Sequence, residues 1–181
     1  MELKRTLALL EKIEAQCHQN VVGLPIHEEI VQTWEGIILD LAGYNVVLPI
    51  TDALEVLNVP ASYALVPGAK KWVIGVANIR GNLLPILDLK SFLFNDKTEM
   101  SSRSRILVIE KSGLHAGILL DQVIGMRYFP ENKEVKSENI PNEIKPYIIT
   151  AFDIDDVVWH VFDIEKLADN EHFRRAGEDL S

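Results

Sequence analysis

A mostly β fold, built as two small closed or half-closed barrels behind an N-terminal helical leader, is what the 181-residue sequence predicts. Three observations carry that prediction. Two long passages repeat within the chain, short Val/Ile/Leu/Phe runs alternate with two-residue turn signals, and the first 33 residues belong to neither copy.

The leader comes first. Leu3, Leu7, Leu10 and Cys17 recur at helical spacing with Ile13 beside them, and the opposite face is charged, which predicts an amphipathic helix. Pro25 followed by Glu28 and Glu29 has the form of a second, short helix start, because proline lacks the N–H that a first turn leaves unused and acidic residues complement the dipole. Residues 1–33 are therefore read as a helical leader, and 34–168 as the body.

Within the body, residues 36–60 lie over 105–126 at an offset of 70, matching Ile37 to Leu107, Gly43 to Gly113, Leu48 to Ile118, Ala53 to Val123 and Val56 to Met126. Residues 72–93 lie over 147–168 at an offset of 75, matching Trp72 to Tyr147, Val76 to Ala151, Ile86 to Val161 and Asp88-Leu89 to Asp163-Ile164. The difference of five is a longer loop in the second copy. Hairpin turns are expected at Ala42-Gly43, Gly81-Asn82, Ser112-Gly113 and Asp155-Asp156. Each copy thus has about five strands, apolar enough to be covered on both faces, and closure into barrels removes exposed edges. The first barrel is placed at about 37–93 and the second at about 105–167. The tail, 169–181, has Phe173 as its one large apolar residue before Leu180, which predicts a single docking point.

Composition limits the function classes. The chain is 48% hydrophobic and 25% charged, an ordinary globular balance, and its net charge of −9 repels nucleic-acid phosphates and anionic lipid. Nucleic acid is not an expected partner. No apolar run approaches the roughly 20 residues of a membrane helix, so no direct membrane insertion is expected. The single Cys17 fits a reducing cytoplasm.

No catalytic or metal constellation emerges. His27-Glu28-Glu29 begins like a zinc-protease helix, but Val31 stands where the second His belongs. Asp153-Ile154-Asp155-Asp156 resembles a calcium-loop start, yet the required Gly and closing Glu are absent and the repeat puts it on a hairpin turn. Cys17 and His18 are adjacent on a helix and point about 100° apart, with no third group to orient them. No phosphate loop or serine elbow is present. Neither a cofactor nor a metal is expected, and no enzymatic activity.

What remains is a set of polar residues in apolar strands. In GVANIRGNLLPILDL (75–89), alternation puts Val76, Asn78 and Arg80 on one face and Ala77 and Ile79 on the other. Arg80 matches Asp155 and Glu55 matches Gly125, so the oppositely charged pair Glu55 and Arg80 is expected in the first copy alone. Spacing by itself favours a solvated Arg80 beside a turn. The repeat adds that a feature of one copy suits a face which only that copy presents.

The strand GVANIRG followed by LLPILDL resembles the signature of the CheW-like domain family, and ALEVL (53–57), GILLDQV (117–123) and the duplicated layout agree with it. GLPIHEE (23–29), WEGI (34–37) and VPGAKKWVIGVANIRGNLLPILDL (66–89) resemble the PilI-like branch of that family, which serves type IV pilus chemosensory systems. The resemblance implies two intertwined five-stranded SH3-like barrels. It implies a non-catalytic adaptor that couples a PilJ-like methyl-accepting chemoreceptor to the regulatory domain of a CheA-like histidine kinase, in the cytoplasm at membrane receptor arrays, and so serves twitching motility. The family's partner-contact residues fall on Ala53, Glu55, Gly75 and Arg80, with Asn78 beside them in the same strand, and its Glu and Arg form an ion pair. Ala53 stands where Val is usual, and Asn82 where Arg often follows Arg-Gly. The rival reading is a small-ligand or oligosaccharide-binding barrel, with or without hydrolysis, using Trp34, Trp72 and Trp159 in a cleft between the copies.

Overall fold

A computed structural model describes residues 32–175. The expected leader, with its Leu3, Leu7 and Leu10 face, Cys17 and the Pro25 helix start, falls outside the described residues, as does Leu180. The strands are β1 (Thr33–Leu41), β2 (Tyr44–Pro49), β3 (Glu55–Asn58), β4 (Val73–Ile79), β5 (Asn82–Asp88), β6 (Arg105–Lys111), β7 (Leu114–Leu120), β8 (Gln122–Pro130), β9 (Glu134–Val135), β10 (Ile148–Ile154) and β11 (Val157–Phe162). Three short helices accompany them: α1 (Leu89–Phe94), α2 (Ile164–Asp169) and α3 (Glu171–Arg174).

Two curled sheets result, in the strand orders β8-β1-β2-β11-β10-β9 and β3-β6-β7-β5-β4. The internal repeat holds at the level of individual residue pairs. Val56 opposite Leu107 in the second sheet is repeated by Met126 opposite Ile37 in the first, each shifted by 70. The parallel pair Ile86 and Gly117 is repeated by Val161 and Val47. Backbone bulges recur at Val73/Gly75 and Ile148/Thr150, and Asp88 N–H donates to the Trp72 carbonyl as Asp163 N–H does to Tyr147, at 2.7 Å in both. Asp88 and Asp163 then cap the helices that follow: Asp88 accepts from the Ser91 N–H at 3.0 Å, and Asp163 from the Glu165 and Lys166 N–H groups at 3.0 and 3.1 Å.

The contiguous division into a barrel at 37–93 and another at 105–167 is corrected by the topology. The β1–β2 hairpin of the first copy lies in the sheet formed by β8, β10 and β11 of the second, and the β6–β7 hairpin of the second lies among β3, β4 and β5 of the first. The reason lies in the hairpins' two apolar faces. On β1, Ile38 points into one barrel, where it packs with Val47, Phe129, Phe152 and Val161, while Ile37, Leu39 and Leu41 point into a core shared by both sheets. On β6, Ile106 and Val108 enter the other barrel with Ala77, Leu84, Ile86 and Leu119, while Leu107 and Ile109 enter the shared core. Each hairpin is thus a wall between two apolar interiors, and exchange covers both of its faces.

The four hairpin turns each place two residues at positive φ: Ala42 and Gly43, Arg80 and Gly81, Ser112 and Gly113, Asp155 and Asp156. These are mirror-image turns whose twist matches the flanking strands. The turn expected at Gly81-Asn82 is therefore Arg80-Gly81, one residue earlier, with Ile79 opposite Asn82. Asp155 is the repeat partner of Arg80, so the register of the repeat already specified this position. Phe173 docks as expected, fully buried on α3 against Phe92 at a ring distance of 4.8 Å.

Candidate partner-binding surface

β3 and the β4–β5 hairpin stand at opposite ends of their sheet, and the curl brings them together. Glu55 follows the inward face of β3 beside Leu57, and its Oε1 accepts from Arg80 Nη2 at 2.5 Å. The pair fastens the open side of the barrel. With the Arg80 side chain 75% exposed and Glu55 35% exposed, it belongs to the solvent-screened class of ion pairs. Arg80 sits in the turn itself rather than at the end of the strand, so alternation does not set its direction.

Asn78 has a local task. Its Oδ1 accepts the Gly81 N–H at 2.8 Å, as Asp40 accepts the Gly43 N–H at 2.8 Å in the β1–β2 turn. An amide two residues ahead of a mirror-image turn satisfies a donor that the tight bend leaves free. Gly75 is buried at the β4 bulge with φ +154°, and a Cβ there would come within 2.4 Å of the Ala64 carbonyl oxygen. Ala64 is hydrogen-bonded to Val76 in both directions at 2.8 Å, so glycine lets the 59–72 connection close over β4. Ala53 ends a 3-10 turn over Ile50–Asp52 and packs, partly buried, against the shared core. Of the five residues singled out, the structure joins Glu55, Arg80 and Asn78 at one turn. Ala53 is two residues from Glu55 along the chain, and Gly75 faces Ala64 instead.

The ion pair is not confined to the first copy. Arg127 on β8 pairs with Asp155 in the β10–β11 turn, with Arg127 also 6.0 Å from the Trp159 ring centre. The charges are reversed and the strand residue is displaced by two, from the Gly125 that aligns with Glu55 to Arg127. That displacement hid the equivalence from a residue-by-residue alignment. Both barrels are thus clasped, and uniqueness no longer argues for the first.

Sequence reasoning passed over the apolar residues on the outer faces of the two end strands. Leu54 (59% exposed) and Val56 flank Glu55 on β3, and Ile124, Met126 (63%) and Tyr128 (65%) occupy the matching face of β8. The signal was available as alternating apolar residues in strands that have a neighbour on one side only.

The cleft required by the ligand-binding rival is filled. Leu39, Leu41, Leu48, Leu107, Ile118 and Phe162 close around a void of about 10 Å³, less than one water occupies. The three tryptophans do not share a site. Trp34 stacks on Phe129 at 4.8 Å and Trp159 lies against the same ring, inside one barrel, while Trp72 packs on Phe92 in the shared core. Among the described residues, no group of three or more His, Cys, Asp or Glu side chains is placed to hold a metal ion, and no helix is long and apolar enough to cross a membrane.

Comparison with known proteins agrees with the duplicated sheets. The protein PilI of Pseudomonas aeruginosa is 37% identical over 175 residues, covering 95% of this chain and 96% of that protein. The chemotaxis protein CheW of Helicobacter pylori is 33% identical over 98 residues, 54% of this chain and 56% of that one. The crystal structure of the scaffolding protein TtCheW from Thermoanaerobacter tengcongensis superposes with a TM-score of 0.65 at 24% identity, covering 78% of this chain and 91% of that chain, and so shares the fold. With the CheW-like domain model matching residues 35–172 as well, the chain belongs to the CheW-like domain family.

Proposed function

We propose that this chain is a non-catalytic chemotaxis-type adaptor, coupling a membrane chemoreceptor of the PilJ-like methyl-accepting kind to the regulatory domain of a CheA-like histidine kinase in control of type IV pilus-driven twitching motility. The observation that carries the reading is the 37% identity to PilI along nearly the whole of both chains. The physical setting supports it. Among the described residues the core between the sheets is closed by apolar side chains, and the unusual features are on the outside: a clasped turn at Glu55, Asn78 and Arg80, with uncovered apolar residues beside it. Such a surface suits protein contacts, in which apolar centres are rimmed by charge.

The working location is the cytoplasm, at receptor arrays. Ala53, Glu55, Gly75, Asn78 and Arg80 are the proposed contact region, with Glu55 and Arg80 presenting charge to a partner, Asn78 holding the turn that displays Arg80, and Gly75 and Ala53 shaping the backbone beneath. Affinity capture with the full chain from its native host tests the reading. A histidine kinase and a chemoreceptor are the expected recovered proteins, and recovery of neither would contradict it.

A further inference from the structure

The strap that leads from β9 into β10, residues 136–147, is held in two unequal parts. Residues 141–147 are firmly docked: Ile144 and Tyr147 are buried in the shared core, the Ile144 and Lys145 N–H groups both bond to the Pro141 carbonyl at 3.2 and 3.0 Å, and the Tyr147 hydroxyl accepts from Asn170 Nδ2 at 2.8 Å. Residues 136–140 are held far less. Lys136, Glu138 and Asn139 are exposed, Ile140 is half-buried, and an open groove of about 680 Å³ runs between this stretch and Ile148, Ile149 and Thr150 of β10. Among the described residues its one side-chain hydrogen bond joins Ser137 Oγ to Nδ1 of His160 on β11, at 2.9 Å.

His160 is buried, and its neighbours in register, Val46 on β2 and Ala151 on β10, do not titrate. The shared core that Val46 and Phe162 enter is apolar, with Tyr147 as its one titratable member. The charged residues of the elements around it are Glu134 on β9, Asp153 on β10, and Lys136, Glu138, Glu143 and Lys145 on the strap. Burial is what lowers the His160 pKa from the ordinary 6.5, so the closed strap holds a neutral ring. Once protonated, the ring can still donate to Ser137, but a hydroxyl brings no counter-charge, and the cost of keeping an imidazolium from water remains. Lifting residues 136–140 admits water and gives up little more apolar burial than that of Ile140. Unfolding the barrel would give up the whole cluster of Ile38, Val47, Phe129, Phe152 and Val161, so the local opening is the cheaper response.

We propose that residues 136–140 form an acid-opened latch: protonation of His160 lifts this stretch off β11 while residues 141–147 stay docked. The latch is closed above about pH 6.5 and opens as pH falls through the lowered value of the folded ring. Opening widens the groove beside β10 and changes the surface of the sheet that contains β8 to β11. Glu55 and Arg80 belong to the other sheet, so the inference does not depend on the adaptor reading.

The test is an NMR pH titration of the full-length protein, following the His160 ring carbons together with amide shifts and heteronuclear NOE values along the strap. Expected are a His160 midpoint below 6.5 and a loss of NOE at residues 136–140 with the same midpoint, while Ile144, Tyr147 and the β6–β7 amides keep their values. Ser137→Ala removes a bond of the closed form and should move the midpoint up toward 6.5, whereas Ser137→Thr, which keeps the hydroxyl, should leave it near that of the wild type. His160→Gln should abolish the transition at 136–140, and the serine variants keep the test valid if that substitution disturbs the fold. Titration of His160 with the strap unchanged, loss of the whole amide spectrum at the same midpoint, or a Ser137→Ala midpoint equal to that of the wild type would each overturn the proposal.

Discussion

Glu55 and Arg80 make a contact whose energetic weight is decided by exposure. A salt bridge as open as this one contributes about 0–1 kcal/mol, because water screens both charges and two long side chains must be held still. Glu55→Ala and Arg80→Ala are therefore expected to change the unfolding free energy by no more than about 1 kcal/mol, while each weakens capture of the kinase or receptor. Chemical denaturation beside capture from lysate reads the two quantities separately. Full-strength capture by both variants would leave the pair as a barrel clasp alone, the role that Arg127 and Asp155 play in the other barrel. Arg80 also occupies a left-handed backbone conformation, which costs a residue with a Cβ about 1–2 kcal/mol and which Ala42, Ser112, Asp155 and Asp156 share in the other three turns. Its presence there is a local expense that the fold tolerates in exchange for placing a guanidinium at the tip.

At the scale of elements, equivalent strands solve one packing problem with opposite substitutions. In the first sheet Gly36 on β1 leaves room for Val47 on β2, where a Cβ would meet Val47 at 2.4 Å and Trp34 and Phe129 at 2.9 and 3.0 Å. In the second sheet the large residue is on β6 and the gap on β7: a Cβ on Gly117 would meet Ile106 at 2.5 Å. Gly36 and Ile106 are repeat partners, as are Val47 and Gly117. Gly36→Ala and Gly117→Ala are each expected to cost about 1–3 kcal/mol by overpacking, and Gly117→Ala with Ile106→Ala should cost less than the two single losses together, because alanine at 106 removes the Cγ2 that the new Cβ would meet. Melting curves of these variants and of Ile106→Ala alone check this, and full additivity would contradict it. Much at this scale was legible beforehand. The repeat, the apolar alternation and the turn dipeptides placed the strand pairs, and Asp88 and Asp163 matched because each caps a helix. The Arg80-Gly81 turn was missed because Gly-Asn is also good turn chemistry, and only the register against Asp155-Asp156 separates the two choices. The second clasp was missed because its strand residue moved by two positions along the same face, a change which conserves geometry and defeats alignment.

The whole molecule depends on contacts that local patterns do not contain. Hairpin exchange rests on four pairings between different segments, parallel for β5 with β7 and β2 with β11 and antiparallel for β1 with β8 and β3 with β6, and an apolar run does not say which of two sheets it joins. One consequence is that residues 32–100 and 101–175 should not fold separately, since each lacks a hairpin of its own barrel. Co-expressed, the two pieces should form a soluble complex, as seen by gel filtration; a folded isolated piece would contradict the exchange. A second consequence concerns pH. Burial lowers the His160 pKa from its ordinary 6.5, so the unfolded chain takes up the proton first. The corresponding stability is present above about pH 6.5 and is lost as pH falls toward the lowered folded value, and His160→Gln should flatten that slope in denaturation series run above and below this point.

The adaptor role is the claim on which the functional account stands, and reconstitution addresses it most directly. Kinase autophosphorylation would be followed with receptor-containing membranes and a CheA-like kinase from the same host, with and without this chain. A marked change in phosphorylation rate is expected only when all three are present, and Arg80→Ala should diminish it. An unchanged rate on adding the wild-type chain, with receptor and kinase both active, would contradict the account.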